Sequence, residues 1–333
     1  MTALLWVTAE VPDSSLGGGH IRQAHLLLAV ARRMDVHLLV AGSVRDQGLR
    51  SSVTGLTEIG AADPPRAKAR ASRRLADVWH VVAEPEPKDV VAHREVRGRL
   101  AQARRALGSF DVVAVEHVGL APLVRARRDE TWSVTVHNVI SRRLEQAAAV
   151  ARGRRQRWLL ERDRAKALRF ERWLAGTFDA VVAVSAEDAA SLPGARVAVV
   201  PNGVDTDRFR ATPLPAAPRL VFTGTLMYRP NVDGARWFCA EVLPIVRAGI
   251  PDVVLDIVGR DPVAEVTALA GQPGVAVHAD VPDVRPYMER ARAAVVPVRE
   301  GTGTRLKVLE AMAAGRPVVA PASGSRGWAW PTV

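Results

Sequence analysis

The chain contains 333 residues, of which 48% are hydrophobic, and carries a formal net charge of +11. This length and apolar content suffice for two hydrophobic cores, and apolar runs that alternate with helical patterns predict two α/β domains. The single cysteine, Cys239, excludes an internal disulfide framework and a cysteine-based metal cluster. The sequence predicts neither a membrane span nor a signal peptide, because no run of about 18 apolar residues occurs and the N-terminal MTALLWVTAE lacks a basic start. A cytoplasmic location is therefore favoured.

The positive charge is compatible with a polyanionic partner, either nucleic acid or an anionic membrane. Only four of the 46 basic residues are lysines, so the arginine bias can reflect the nucleotide composition of the gene instead of a binding surface. Aromatic residues make up 5% of the chain, which is few for a module that stacks bases. We therefore expect no nucleic-acid partner.

The first predicted strand, residues 3–7, is followed by a glycine loop that opens a helix. The loop contains Gly17, Gly18 and Gly19, and the helical pattern covers residues 21–33. The spacing differs from the G-x-G-x-x-G of dinucleotide-binding folds, so the sequence carries no nicotinamide fingerprint. Arg22 can meet a phosphate or carboxylate, or it can be a solvated side chain.

Four further apolar runs, residues 36–40, 78–82, 111–115 and 133–136, are separated by segments long enough for helices. This rhythm predicts a parallel sheet. His137 and Asn138 follow the last of these runs directly. Ligands gather at the carboxyl ends of parallel strands, so His137 is a candidate catalytic residue, although it can also be a hydrogen-bonded structural histidine.

Residues 142–176 predict one long helix, or two helices broken near Gly153, with eleven basic and four acidic residues. Two interpretations stay open. The helix can lie on an anionic bilayer, or it can be a surface helix with a solvated charged face. A strand at residues 179–184 and a short helix capped by Ser185 follow.

A turn-rich stretch at residues 200–205 and a proline-rich stretch at residues 213–218 indicate a joint between domains. We predict a first domain over residues 1–200, a linker over residues 201–218 and a second domain over residues 219–333. The second domain begins with a strand at residues 219–223 and a helix after Asn231.

Residues 293–320 predict a strand, a glycine loop, a helix and a second strand. Glycines and the unsatisfied N–H groups at the start of a helix favour a bound anion. Arg305 and Lys307 in the first turn need a negative group to compensate them, which favours a diphosphate. Glu310 can accept two hydroxyl hydrogen bonds, as a ribose or hexose would offer. The alternative is an ordinary strand–helix turn with solvated charges.

Taken together, these stretches resemble the glycosyltransferases of family 4, which have the GT-B architecture. The resemblance covers nearly the whole chain and rests on the order and spacing of motifs that are individually weak. The motifs are GGGHIR at 17–22, HN at 137, AVSAED around Ser185, VPNGVD at 200–205, FTGTLMYRPNVDG at 222–234, IVGR ending at 260, VPDVRPYM at 281–288 and GTGTRLKVLEAMAAGRPVV at 301–319.

The resemblance implies a GT-B fold, in which two Rossmann-like domains face each other across a cleft. It implies a retaining glycosyltransferase that moves a sugar from a nucleotide-diphosphate-sugar donor to a glycan, lipid-linked or small-molecule acceptor, as in polysaccharide biosynthesis. No metal or other cofactor is implied. Peripheral contact with an anionic membrane is compatible with this activity.

The resemblance also implies roles for individual residues. His137 and Glu310 are the implied catalytic residues, and Gly19, Arg22 and His137 are implied on the acceptor side. Glu310 is implied to hold the ribose, and Val281 the base through its backbone. The implied donor-binding residues are Gly18, Gly19, Asn202, Gly224, Arg229, Gly259, Val281, Gly301, Thr302, Gly303, Thr304, Arg305, Lys307 and Glu310.

The sequence departs from the family pattern in three places. Thr302 stands where many members have a second glutamate. Arg229 is present, but Asn231 stands where a lysine is frequent, so more of the diphosphate charge falls to Arg305 and Lys307. The family normally continues beyond Val319, so we expect an incomplete second domain. Two alternatives stay open: a catalytically impaired, truncated remnant, and a basic protein that binds membranes or nucleic acid.

Overall fold

The computed structural model describes residues 2–13, 19–60, 81–123, 129–151, 153–192, 194, 196–299 and 305–321. The chain divides into two compact units, Met1–Pro201 and Asn202–Val333. Each unit is an α/β domain built on one parallel sheet, of seven strands in the first and five in the second. Across the described ranges, none of the helices combines the length and hydrophobicity that crossing a membrane requires.

The first sheet has the strand order β3-β2-β1-β4-β5-β6-β7, with every pairing parallel. A 3-10 helix at Val118–Leu123 follows β4. The elements are β1 (Ala3–Thr8), α1 (Gly19–Ala31), β2 (Asp35–Ala41), α2 (Gln47–Ser52), β3 (Gly55–Ile59), α3 (Lys88–Val91), α4 (Arg94–Ala106), β4 (Val112–Glu116), β5 (Thr131–Val136), α5 (Ile140–Ala149), α6 (Arg154–Thr177), β6 (Ala180–Ala183), α7 (Ala186–Ala190) and β7 (Val197–Val199).

The central strand β1 is covered on both faces, as expected for a parallel sheet. Leu5 and Val7 pack in one hydrophobic cluster, whereas Leu4 and Trp6 pack in another. Successive side chains of a strand point to opposite faces, so this uninterrupted apolar run supplies both cores. Because all strands run in one direction, the polar residues that follow them meet at one edge of the sheet.

Two predictions about helices and strands can be compared directly with the structure. The predicted helical region breaks at Gly153, which precedes α6 in an extended conformation, so the version with two helices is confirmed. The strand predicted at residues 78–82 is wrong at Val81 and Val82, which are helical. Two adjacent valines fit either structure, and here Val81 is buried while Val82 is 43% exposed.

The second sheet has the order β10-β9-β8-β11-β12, again with parallel pairings. In this unit, a π-helical segment, Phe238–Val242, joins the helices Arg229–Trp237 and Leu243–Gly249. A 3-10 turn covers Ala268–Gly271. The elements are β8 (Arg219–Thr225), α8 (Arg229–Trp237), α9 (Leu243–Gly249), β9 (Val254–Arg260), α10 (Ala264–Thr267), β10 (Val275–Ala279), α11 (Arg285–Glu289), β11 (Ala293–Val295), α12 (Leu306–Ala313) and β12 (Val318–Val319).

Most of the predicted linker, from Asn202 onward, belongs to the second unit. Phe209 is buried in a core cluster of this unit. Arg316 is only 2% exposed, and its guanidinium forms hydrogen bonds with the segment that leads into the proline-rich stretch. Its Nη2 donates to the Oγ1 of Thr212 at 2.8 Å and to the carbonyl of Thr212, and its Nη1 donates to the carbonyl of Ala291 at 3.0 Å. One buried guanidinium thus joins the segment before β8 to the segment that leads into β11.

Replacing Arg316 with methionine should lower the free energy of unfolding of the second unit by about 3 kcal/mol, because buried carbonyl groups lose a charged donor. Urea unfolding followed by circular dichroism measures this change. Arg292→Met is the matched control, since exposed Arg292 also donates to this segment, at the carbonyl of Pro215. The control should cost less than about 1 kcal/mol. Equal, small losses in both variants would contradict the role assigned to Arg316.

Candidate functional site

In the first domain, a buried carboxylate lies beside the predicted catalytic histidine. Glu116 ends β4 and is 3% exposed. The Oγ1 of Thr135 donates to its Oε1 at 2.7 Å, and the Nε2 of His137 lies 3.2 Å from its Oε2, at ion-pair distance. The side chains that follow neighbouring strands β4 and β5 therefore converge at the carboxyl edge of the sheet.

His137 lies near the imidazole of His117, which in turn lies next to that of His93. The ring of His117 is centred 6.3 Å from that of His137 and 4.4 Å from that of His93. Burial, assisted by the neighbouring His93 and His137, lowers the pKa of His117 to about 3, so this imidazole is neutral at physiological pH. Its Nδ1 accepts the N–H of Gly119 at 3.0 Å, which leaves the proton on Nε2.

The backbone at His117 has a φ of 145°. Such a conformation costs a non-glycine residue on the order of 1–3 kcal/mol and persists where the surroundings fix it, as they often do at functional sites. Glu116 and His117 were missed by the sequence analysis. The signal was the same as the one that selected His137, namely a polar pair directly after a buried apolar run.

Arg22 lies at the same edge and is also buried. Its Nη2 donates to the carbonyl of Val200 at 2.7 Å and its Nη1 to the carbonyl of Pro201 at 3.0 Å. Burial lowers the pKa of Arg22, and the nearby charge of Glu116 acts in the opposite direction. Glu116 is therefore close to two residues predicted on the acceptor side, Arg22 and His137.

Gly19 begins α1 next to a second carboxylate that the sequence analysis missed. A Cβ atom at Gly19 would lie 2.9 Å from the Oε2 of Glu10. The Nε2 of Gln23 donates to the same oxygen at 3.4 Å. The start of α1 thus faces a carboxylate, while the preceding Gly18 lies outside the described residues.

In the second domain, two predicted donor-binding glycines meet. A Cβ atom on Gly259 would lie 1.7 Å from the carbonyl oxygen of Gly224, a separation that no side chain permits. Gly224 has a φ of +156°, and a Cβ atom there would lie 2.7 Å from the Nζ of Lys307. Glycine is therefore required at both positions, and the space it leaves is occupied by a lysine amine.

This amine is held by an amide and an aromatic ring. The Nζ of Lys307 donates to the Oδ1 of Asn231 at 2.9 Å and lies 4.5 Å from the ring centre of Phe222. Asn231 is fixed in turn, because its Nδ2 donates to the carbonyl of Thr225 at 2.8 Å. Asn231, which the sequence analysis treated as a missing lysine, is thus the partner of the lysine that remains.

The protonation state of the Lys307 amine depends on burial and on nearby charges. Burial, assisted by the charge of Arg305, lowers the pKa of Lys307 to about 7, while Glu310 acts in the opposite direction. An unliganded amine in this state is partly neutral at physiological pH. A negative group placed beside it would favour the charged form.

The other cations and the predicted ribose carboxylate lie on or near α12. Arg305 directly precedes this helix, and burial lowers the pKa of its guanidinium. Burial raises the pKa of Glu310, whereas the charges of Lys307 and Arg208 act to lower it. Arg208 is positioned by a turn in which the Oδ1 of Asp205 accepts the N–H of Arg208 at 2.9 Å.

Three other predicted donor-binding residues belong to the second unit. Asn202 is half-buried at the start of the segment that leads to Arg208. Val281 packs against the core cluster that contains Phe209. Arg229 is turned to two carboxylates, Asp233 at 2.9 Å and Glu265 at 3.2 Å, and is largely exposed.

Four predicted donor residues, Gly301, Thr302, Gly303 and Thr304, lie outside the described residues. Within the described ranges, no group of three or more His, Cys, Asp or Glu side chains forms a candidate metal site.

Two family models match the chain. The model of Glycosyltransferase Family 4 matches residues 16–208, and the model of Glycosyl transferases group 1 matches residues 217–328. The first match spans more than half of the chain, so the protein belongs to glycosyltransferase family 4 and is a glycosyltransferase. Comparison with curated protein sequences returned no match.

Solved structures share the fold over nearly the whole chain. Alr3699/HepE of Anabaena in complex with UDP and glucose is 13% identical, with 97% of this chain and 82% of that chain covered and a TM-score of 0.58. The α,α-trehalose 6-phosphate synthase of Burkholderia multivorans is 13% identical, with 96% and 83% covered and a TM-score of 0.59. The predicted α/β fold of the GT-B type, with two parallel-sheet domains, is confirmed.

The tautomer of His137 should depend on Glu116. An ionised carboxylate accepts hydrogen bonds and donates none, so we expect the neutral His137 ring to carry its proton on Nε2, which faces Glu116. Glu116→Gln should raise the population protonated on Nδ1, as measured by long-range ¹H–¹⁵N spectra of labelled histidines. Glu10→Gln, at the same sheet edge, is the control and should leave the His137 signals unchanged. A wild-type ring protonated on Nδ1 would refute this arrangement.

Lys307 should make stability depend on pH. Its folded pKa is about 7 and an unfolded lysine titrates near pH 10.4, so between these values the unfolded chain binds a proton that the folded chain lacks, and stability rises with pH. Lys307→Met should therefore be more stable than wild type near pH 7, and the difference should shrink toward about pH 9. Thermal melting at several pH values tests this, with Lys88→Met as the control for loss of a lysine. A difference that stays constant with pH would contradict the assignment.

Proposed function

We propose that the protein is a retaining glycosyltransferase that uses a nucleotide-diphosphate-sugar donor and a glycan, lipid-linked or small-molecule acceptor. Membership of the family supplies glycosyl transfer, and the donor, the stereochemical course and the acceptor class are the added inferences. The donor assignment depends on one observation, the position of the Lys307 amine. This amine contacts Asn231 and Phe222 beside the close approach of Gly224 to Gly259.

A diphosphate suits this place for three physical reasons. Glycine at position 224 leaves room for the Lys307 amine, so a cation is available at the carboxyl edge of the sheet. Lys307 and Arg305 are half-buried cations whose pKa values burial has lowered, so an anion relieves an electrostatic cost. Glu310 lies on the same helix, and the hydroxyl groups of a ribose would give this largely desolvated carboxylate hydrogen-bond donors. Alr3699/HepE, of the same fold, is known in complex with UDP and glucose.

The chemistry follows from this arrangement. As the bond between the anomeric carbon of the sugar and the diphosphate oxygen breaks, negative charge grows on the departing nucleoside diphosphate. Lys307 and Arg305 stabilise that charge most when it is fully developed, so they favour the transition state over the bound donor. The chain itself supplies this positive charge, so the proposal requires no metal. In the first domain, we assign His137, held against Glu116, to contact with the transferred sugar.

Calorimetry with nucleoside diphosphates tests the donor site. Binding should take up a proton above about pH 7, because the anion recharges Lys307, and titrations in buffers of different ionisation enthalpy reveal this uptake. Lys307→Met should abolish the uptake and weaken diphosphate binding about 10–100-fold, with little effect on the free nucleoside. Glu310→Gln should weaken both ligands.

The titrations use UDP, GDP and ADP and the corresponding nucleosides. Lys88→Met serves as the control variant. Equal losses for nucleoside and diphosphate in Lys307→Met would contradict the assigned contact. Absence of binding by all three diphosphates to the folded wild-type protein would reject the donor proposal as a whole.

A further inference from the structure

The 24-residue helix α6 has an exposed face that takes no part in the donor or acceptor sites proposed above. Its inward side is buried and includes Ala167, Phe170 and Leu174. With about 100° between successive residues, ten exposed positions fall within about 60° on either side of Trp158. We call these positions the outer face of α6: Arg154, Arg155, Trp158, Glu161, Arg162, Ala165, Arg169, Arg172, Trp173 and Gly176.

The outer face combines charge of one sign with exposed aromatic rings. It holds five arginines and one acid, Glu161, which lies 3.5 Å from Arg164 on the same helix. Trp158 is 52% exposed and Trp173 is 38% exposed. The two rings are about 22 Å apart along the helix axis, so the apolar groups are spread over most of its length.

Both tryptophans are held in place despite their exposure. The guanidinium of Arg162 lies 5.6 Å from the ring centre of Trp158. The ring of Trp173 is centred 5.3 Å from that of buried Phe170. Ordering these side chains before a partner arrives reduces the entropy lost on binding.

Further apolar surface borders the N-terminal half of this face. Arg162 donates to the carbonyls of Val81 and Val82 at 3.2 and 3.1 Å, and the side chain of Val82 is 43% exposed. Val150, shortly before α6, is 57% exposed. Of the large hydrophobic residues exposed in the described part of the first unit, most lie on α6 or next to it.

We propose that the outer face of α6 binds the surface of a bilayer that contains anionic lipids. Lipid phosphates would form ion pairs with the arginines. The indole rings would lie at the level of the headgroups, with their apolar part toward the acyl chains and their N–H toward water. A helix that lies flat on the interface presents charge and apolar groups together in this way, and it need not cross the membrane. The inference is independent of the donor site.

Vesicle flotation with the full chain tests the proposal. The protein should bind vesicles of phosphatidylcholine mixed with phosphatidylglycerol at low ionic strength, bind them less as salt is added, and bind phosphatidylcholine alone weakly. The triple variant Arg155→Gln, Arg169→Gln, Arg172→Gln should bind on the order of a hundredfold more weakly, since each basic residue near such a surface contributes about fivefold. Trp158→Gln should weaken binding at every salt concentration.

The matched control is Arg32→Gln, Arg33→Gln, Arg105→Gln, which removes the same charge from exposed positions of the same unit. It should retain most of the binding, and circular dichroism should show all variants folded. Absence of binding to the mixed vesicles at low ionic strength would overturn the proposal, as would equal loss in the two triple variants. Capture of the chain by RNA without any capture by vesicles would assign the face to nucleic acid instead.

Discussion

The second domain depends on one close approach, that of Gly224 to Gly259 at the carboxyl ends of strands β8 and β9. A side chain at Gly259 would collide with the carbonyl of Gly224 and force the two strands apart. A side chain at Gly224 would take the place of the Lys307 amine. The contact therefore requires glycine on both strands and also leaves the space that the half-buried amine of Lys307 occupies. Burial lowers the pKa of that amine, and a negative group placed beside it would favour the charged form.

The first domain applies the same physics with the opposite charge. Glu116 is removed from water at the end of β4, and a buried carboxylate is tolerated only where donors and positive charge compensate it. Thr135 supplies a hydroxyl donor, His137 lies at ion-pair distance, and Arg22 contributes a nearby positive charge. Strand β4 places Glu116, strand β5 places Thr135 and His137, and helix α1 places Arg22, so the arrangement exists only in the folded domain. Parallel strands make this possible, because they deliver all these side chains to one edge.

Patterns of hydrophobicity predicted the architecture well, because buried parallel strands need apolar runs and amphipathic helices need periodic ones. They failed where the physical signal was local and weak. Val81 and Val82 suit a strand or a helix, and edge strand β3 carries too little apolar character to be noticed. The role of Arg316 depends on carbonyl groups far apart in sequence, so no spacing could show it. The hydrogen bond between Lys307 and Asn231 could not be predicted, because the two residues lie 76 positions apart. The catalytic, donor-binding and acceptor-side roles of the predicted residues stay predictions, and Gly18 and residues 301–304 also lie outside the described residues.

The central claim is that Lys307 contacts a nucleoside diphosphate beside the close approach of Gly224 to Gly259. A crystal structure of the chain with a bound nucleoside diphosphate tests it most directly. We expect the Nζ of Lys307 within hydrogen-bonding distance of a phosphate oxygen, with the ribose hydroxyls on the carboxylate of Glu310. A nucleotide bound elsewhere, while Lys307 still donates to Asn231 and makes no phosphate contact, would contradict the account.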